Sequence, residues 1–381
     1  MKVYFDNAAT TPLDERVWEV MSEHLKTLYG NPSSIHHLGR TSRSEIEKAR
    51  KTVAESIGAG TGEIFFTSGG TESNNTALCC AVRDLGVKRI ITSPIEHHCV
   101  LHTAEKLQMR DKIELELVKV NPLGEIDLSH LGELLKNSQD KTLVSIMHAN
   151  NEIGTMADIK AIGELCRKYN ALFHTDSIQT VGHFPINVNE INVHFLSGSA
   201  HKFHGPKGVG FLYINADNQI KPFISGGGQE RNVRGGTENL HGIIGQAKAL
   251  QLAIDEMEVR KQKITAVRDY LKQQLMEKVP GVCFHGIQEG EFLYTVLSVS
   301  FPPGPKTELL LLALDIEGIC ASGGSACSSG SDKGSHVIQA VGDKEGRKTI
   351  RFSFSHYNTK DEVDYTVEKL AAMFENAPQT V

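Results

Sequence analysis

The sequence has no apolar run of about 18 residues, so no membrane-spanning helix is expected. It has no basic run, and its net charge is -6, which gives no support for a nucleic-acid or anionic-membrane partner. The opening MKVYFDNAATTP lacks the apolar segment of a signal peptide. The seven cysteines (Cys79, Cys80, Cys99, Cys166, Cys283, Cys320 and Cys327) are scattered, odd in number and form no CxxC pair. That argues against a disulfide framework and against a zinc knuckle. The expected setting is a reducing cytoplasm with free thiols, at least one of them available for chemistry. There is no internal repeat and no low-complexity segment.

What is present is a chain of 381 residues, enough for one large domain and a smaller one. Thr11 is expected to cap a first helix with Pro12 at its first position, and Val17, Val20, Met21, Leu25 and Leu28 share one face. From Ile64 onward, short apolar runs alternate with amphipathic stretches. Strands are expected at 64–66, 89–92, 115–120, 143–147, 171–174, 193–196 and 209–214, with helices between most of them. That alternation predicts an α/β domain with a mainly parallel sheet, whose sites form in loops at the carboxyl ends of strands. A charged helical region from 239 to 279 reads as a bridge to a second region, 281–381, of mixed strands and helices. Residues 322–335 hold several glycines and serines around Cys327 and are expected to form a mobile loop.

Six features carry chemistry. In SGSAHKFHGPKG (197–208), Lys202 sits among histidines just past an apolar strand. A crowded, partly desolvated amine is a Schiff-base candidate; a surface loop lysine is the competing reading. In SGGTESN (68–74), glycines follow a strand and open a helix, a setting that suits an anion, although an ordinary glycine turn fits as well. Asp176 closes a buried strand and needs a positive partner, such as a protonated pyridine nitrogen, unless it merely caps the next helix. His97 lies past another strand, where an imidazole could stack on a flat ring and carry protons. Adjacent histidines point apart, so a metal held by His97 and His98 is not expected. Cys327 lies in ASGGSACSSG (321–330), whose neighbours cannot build a core, and an exposed thiol there suits a travelling nucleophile. Arg351, in an alternating strand, is either solvated or shaped to grip a carboxylate.

The chain resembles the cysteine desulfurases of the NifS/IscS type, which are class V, fold-type I enzymes dependent on pyridoxal 5'-phosphate. The resemblance runs through YFDNAATT (4–11), NPSSIH (31–36), TSGGTESNN (67–75), MHANNEIG (147–154), the Lys202 motif, RGGTEN (234–239) and the Cys327 loop. It implies a large domain (15–255) with a mainly parallel seven-stranded sheet. It also implies a smaller α+β domain (1–14 and 256–381) carrying the cysteine loop (322–335). It implies that Lys202 holds the cofactor, His97 stacks on its ring, Asp176 meets the pyridine nitrogen and Gln179 the phenolic oxygen. Gly70, Thr71, Ser199 and His201 would bind the phosphate, and Thr237 would reach the phosphate of the other subunit of a homodimer. Asn151 and Arg351 would hold the carboxylate of L-cysteine, and Cys327 would take its sulfur as a persulfide. The acceptor would be an iron–sulfur scaffold or another sulfur-acceptor protein. The competing readings are a selenocysteine lyase, a cysteine-sulfinate desulfinase, another class V aminotransferase, and a non-catalytic sulfur carrier. Aminotransfer needs no loop cysteine, and a carrier needs no Lys202, Asp176 or His97.

Overall fold

The computed structural model describes residues 1–137, 139–304, 307–323, 334–343 and 346–374. Cys327 lies outside the described residues. In chain order the first elements are β1 (Val3–Tyr4), α1 (Glu15–Thr27), α2 (His37–Ser56), β2 (Ile64–Thr67), α3 (Gly70–Leu85), β3 (Arg89–Thr92), α4 (His98–Asp111), β4 (Glu114–Leu117), α5 (Leu128–Lys136), β5 (Thr142–Ser145), α6 (Ile159–Lys168), β6 (Leu172–Asp176), α7 (Val188–Ile191), β7 (Phe195–Ser199) and β8 (Gly210–Ile214). Then follow α8 (Gln229–Asn232), α9 (Leu240–Asp255), α10 (Met257–Lys278), β9 (Cys283–Phe284), β10 (Val296–Phe301), α11 (Leu310–Ile316), β11 (Ile319–Cys320), α12 (His336–Val341), β12 (Lys348–Ser353) and α13 (Lys360–Phe374).

Seven strands form one sheet in the order β2-β8-β7-β6-β5-β3-β4, with β8 alone running against the rest. Its inner strands are buried along their whole length. A strand alternates its side chains between faces, so a doubly covered sheet needs apolar residues at every position. The two faces sort accordingly. Phe66, Ile91, Val144, Phe173, Leu196 and Phe211 pack with α2, α6 and α9. Phe65, Ile90, Leu143, Leu172, Phe195 and Leu212 pack with α3 and α4. Each such side chain taken fully out of water contributes roughly 1.5–3 kcal/mol.

A separate apolar cluster joins the first residues to the last third of the chain. Val3 and Phe5 pack with Leu271 of α10, Val299 of β10, Phe352 of β12 and Val367 of α13. The Phe5 ring lies 5.2 Å from that of Phe354, centroid to centroid. β10 pairs antiparallel with β12 and β9, and β1 pairs with β11. This packing holds Asp6, Ala8 and Ala9, which follow Phe5, at the carboxyl edge of the large sheet.

One sequence expectation is corrected here. The cap of α1 is Asp14, whose Oδ1 accepts from Arg16 N at 3.0 Å, and not Thr11. The Thr11 hydroxyl instead donates to His201 O (3.0 Å) and accepts from His204 N (2.8 Å), which ties the Lys202 turn to the N-terminal segment. The 239–279 region is helical as expected, in two helices that meet at Glu256, whose carboxylate pairs with Arg260 (2.7 Å) and with Arg16. Among the described residues no helix is long and apolar enough to cross a membrane.

Candidate active site

The carboxyl ends of β2, β3, β5, β6 and β7 converge on a cavity of about 240 Å³. Gly70, Thr71, His97, Asn151, Asp176, Gln179, Ser199, His201, Lys202 and Arg351 all line it. Thr237 does not; it lines another cavity with Ser68, Glu230 and Arg234.

β7 ends at Ser199, and a tight turn over Ala200–Lys202 throws Lys202 across the cavity floor. Its Nζ donates to the carbonyls of Ala8 (2.6 Å) and Ala9 (2.8 Å). β6 ends at Asp176, which is buried. Burial raises its pKa, against the nearby His97 and the hydrogen bonds that favour the anion. Asp176 Oδ2 accepts from Asn74 Nδ2 (2.7 Å), and its Oδ1 accepts from Ile178 N (3.0 Å). Asn74 is itself oriented by His174, whose Nε2 lies 3.1 Å from Asn74 Oδ1 while its Nδ1 meets Ser145 Oγ at 2.8 Å. Gln179 donates to Ala8 O at 3.1 Å.

The opposite end of the cavity is built for an anion. α3 starts at Gly70 without a side-chain cap. A Cβ on Gly70 would come within 2.0 Å of Ile178 Cδ1, so any other residue there would have to displace the Ile178 side chain. Ser199 Oγ is buried and has no hydrogen-bond partner. His201 lies beside it, its pKa pushed down to about 4 by burial and then by Lys202 and Lys207, so the ring is neutral at pH 7. An open helix N-terminus, an orphan hydroxyl and the neighbouring imidazole together fit a phosphate.

His97 caps α4 with its own ring, Nδ1 accepting from Cys99 N at 3.1 Å. Burial lowers its pKa. His98 turns away and packs on His102 and His336, with centroids 4.8 and 4.4 Å distant. No group of three or more His, Cys, Asp or Glu among the described residues is arranged to hold a metal ion. Behind His97, Glu96 is buried, accepts from Ser93 Oγ and Met147 N, and is pushed up to about 8, chiefly by burial.

At the mouth, Arg351 is buried and not solvated. It donates to Asp6 Oδ1 (2.9 Å) and to Asn151 O (3.0 Å), and its Nε has no partner. Ser322 pairs through its backbone with Arg351, and Ser335 Oγ donates to Glu152. One end of the segment that carries Cys327 is therefore fastened to a cavity residue, Arg351, and the other to Glu152, the sequence neighbour of Asn151. Asn74, Cys99 and Asp6 were not singled out from the sequence. Asn74 lies one helical turn past Gly70, on the same face as the cavity residues, which is the signal that could have found it.

A model of the aminotransferase class-V family matches residues 3–366. The chain belongs to that family. A cysteine desulfurase IscS of Dictyoglomus turgidum is 45% identical over 98% of this chain and 95% of its own length. A cysteine desulfurase IscS of Methanosarcina thermophila is 43% identical over 96% of this chain and 90% of its own. Among solved structures, a NifS-like protein superposes with a TM-score of 0.90 at 38% identity, covering 98% of this chain and all of that one. The NifS-like protein of Rickettsia africae gives 0.88 at 33%, with 98% of this chain covered and 100% of that one. The fold is that of the fold-type I enzymes of the family, and the cofactor is pyridoxal 5'-phosphate. The buried acid, the phosphate cradle and the lysine between them fit that group.

Proposed function

We propose that this enzyme is a cysteine desulfurase that converts L-cysteine to L-alanine and takes the sulfur on Cys327. The observation that carries the reading is one cavity lined by Lys202, Asp176, His97 and Arg351, in a chain whose relatives are named cysteine desulfurases. Pyridoxal phosphate, when bound, supplies an electron sink for the substrate's Cα. Lys202 would hold it and then move the Cα proton. Asp176 would keep the pyridine nitrogen protonated, Gln179 would contact the phenolic oxygen, and Gly70, Thr71, Ser199 and His201 would bind the phosphate. Arg351 and Asn151 would grip the substrate carboxylate. The Cys327 thiolate forms an S–S bond to the substrate sulfur as the Cβ–S bond breaks. The electron pair of that bond stays with the carbon fragment, which takes up a proton and leaves as alanine. His97 would carry the proton between the two thiols.

The proposal extends to a homodimer in which Thr237 reaches the other subunit's phosphate, and to a cytoplasmic setting. It also includes the division into 15–255 and 1–14 with 256–381, and an iron–sulfur scaffold or another sulfur-acceptor protein as the outlet. The deciding experiment measures alanine and protein persulfide from L-cysteine, wild type beside Cys327→Ser. Both products in the wild type and no persulfide in the variant are expected. Alanine formed at the wild-type rate without Cys327 would overturn the role of that thiol and point to lyase or desulfinase chemistry.

A further inference from the structure

Between Asp176 and His97 stands a side chain that none of these roles uses. Cys99, the second residue of α4, lines the cavity, with its Sγ 3.0 Å from His97 Nδ1 and 3.2 Å from Asn74 Nδ2. The same Asn74 nitrogen donates to Asp176 Oδ2. An amide nitrogen carries two N–H groups, so Asn74 can serve both neighbours at once. A continuous hydrogen-bonded path therefore runs from Asp176 through Asn74 and Cys99 to the ring of His97.

The backbone decides which end of the imidazole is open. Cys99 N donates to His97 Nδ1, so in the neutral ring Nδ1 is the acceptor and the proton sits on Nε2. A second proton can enter only at Nδ1. There it would face the Cys99 N–H, which cannot accept. The thiol can do both: its S–H shares the Nδ1 lone pair of the neutral ring with the backbone N–H, and after rotation about its Cβ–Sγ bond the sulfur accepts from the imidazolium. Asn74 keeps the sulfur in place in either state. The thiol stays protonated throughout, because burial pushes it up to about 12, and it is therefore poorly suited to act as a nucleophile.

We infer that Cys99 is a positioning residue that lets His97 take and return a proton without losing its partner at Nδ1. The inference rests on the reading of His97 as the proton carrier. Four groups shift His97 from other directions: Asp176 from β6, Lys202 beyond β7, His336 on α12, and His102 on α4. All of them remain in the variants below.

The test is a titration of histidine-labelled protein by nitrogen and carbon NMR, first without cofactor and then loaded. His97 is assigned by its loss in His97→Gln. In the wild type, Nδ1 should report as the unprotonated nitrogen of the neutral ring. A hydrogen bond to a charged group is worth more than one to a neutral group, so Cys99→Ala should lower the His97 pKa, by about 0.5–1 pH unit. Cys99→Ser, which keeps a donor and acceptor, should restore it. In the loaded enzyme the acid limb of the kcat profile should move in step. An unchanged His97 pKa in Cys99→Ala, or a Cys99→Ser protein that titrates like the alanine variant, would overturn the inference. The cofactor-free titration decides this even if the loaded enzyme does not release alanine.

Discussion

The two walls of the cavity are built on opposite plans. The wall formed by the large sheet holds its acid in a chain of internal hydrogen bonds. Asp176 is held by Asn74, Asn74 by His174, and His174 by Ser145, all of them buried. The wall formed by the chain termini holds one charge, Arg351, against one carboxylate, Asp6, whose side chain is 21% exposed. The first arrangement keeps groups fixed whatever occupies the cavity. The second offers a guanidinium whose partner can be exchanged, and a substrate carboxylate is the natural competitor. A bidentate grip on a carboxylate is the geometry arginine suits best. A fixed cofactor wall facing an exchangeable substrate wall is what a turnover cycle requires.

The sharpest way to break the comparison is to empty the fixed wall of its amine. Lys202→Ala should lower alanine release by about 100-fold or more, the scale of a lost proton-transfer group. The sheet side should stay folded, as read by circular dichroism. Near-normal turnover in that variant would mean the fixed wall is not where the Cα proton moves. Next comes Arg351→Gln on the exchangeable wall. A charge-assisted pair is worth about 1.5–3 kcal/mol, so KM for L-cysteine should rise about 10–100-fold. Titration with cofactor, followed by visible absorbance, should saturate as in the wild type. If instead cofactor binding weakens and KM holds, the two walls have been assigned the wrong way round.

The residues at the strand ends of the fixed wall were legible in the sequence, as was Arg351 on the exchangeable one; the partners that hold them were not. Strand ends announce themselves locally: an apolar run stops, and Asp176, Ser199 or Gly69-Gly70 follows. Alternation along Phe65-Phe66 or Leu143-Val144 then delivers each side chain to its own face. The Asp6–Arg351 pair joins residues 345 positions apart, and no local pattern encodes it. Asn74 meets His174 across 100 positions for the same reason. Thr11 looked like a helix cap on local chemistry alone, but its hydroxyl is taken by the His201–His204 turn, and the cap passes to Asp14.

The mildest test of the fixed wall is one of stability, at Glu96. Its carboxyl is fully buried and pushed from 4.5 up to about 8, with burial the main cause and Asp176 adding to it. The folded protein therefore holds this proton where the unfolded chain has lost it. Between about pH 4.5 and about 8 the native state binds the extra proton, so stability falls as pH rises through that window. The contribution is fully present below about 4.5 and is gone above about 8. Glutamine accepts the same hydrogen bonds from Ser93 and Met147 with a group that does not titrate. Whatever fixed offset Glu96→Gln introduces, its Tm should gain on the wild type as pH rises across the window. Parallel curves for the two proteins would mean that Glu96 ionises normally, and that the fixed wall admits charge and water as readily as the wall that holds Arg351.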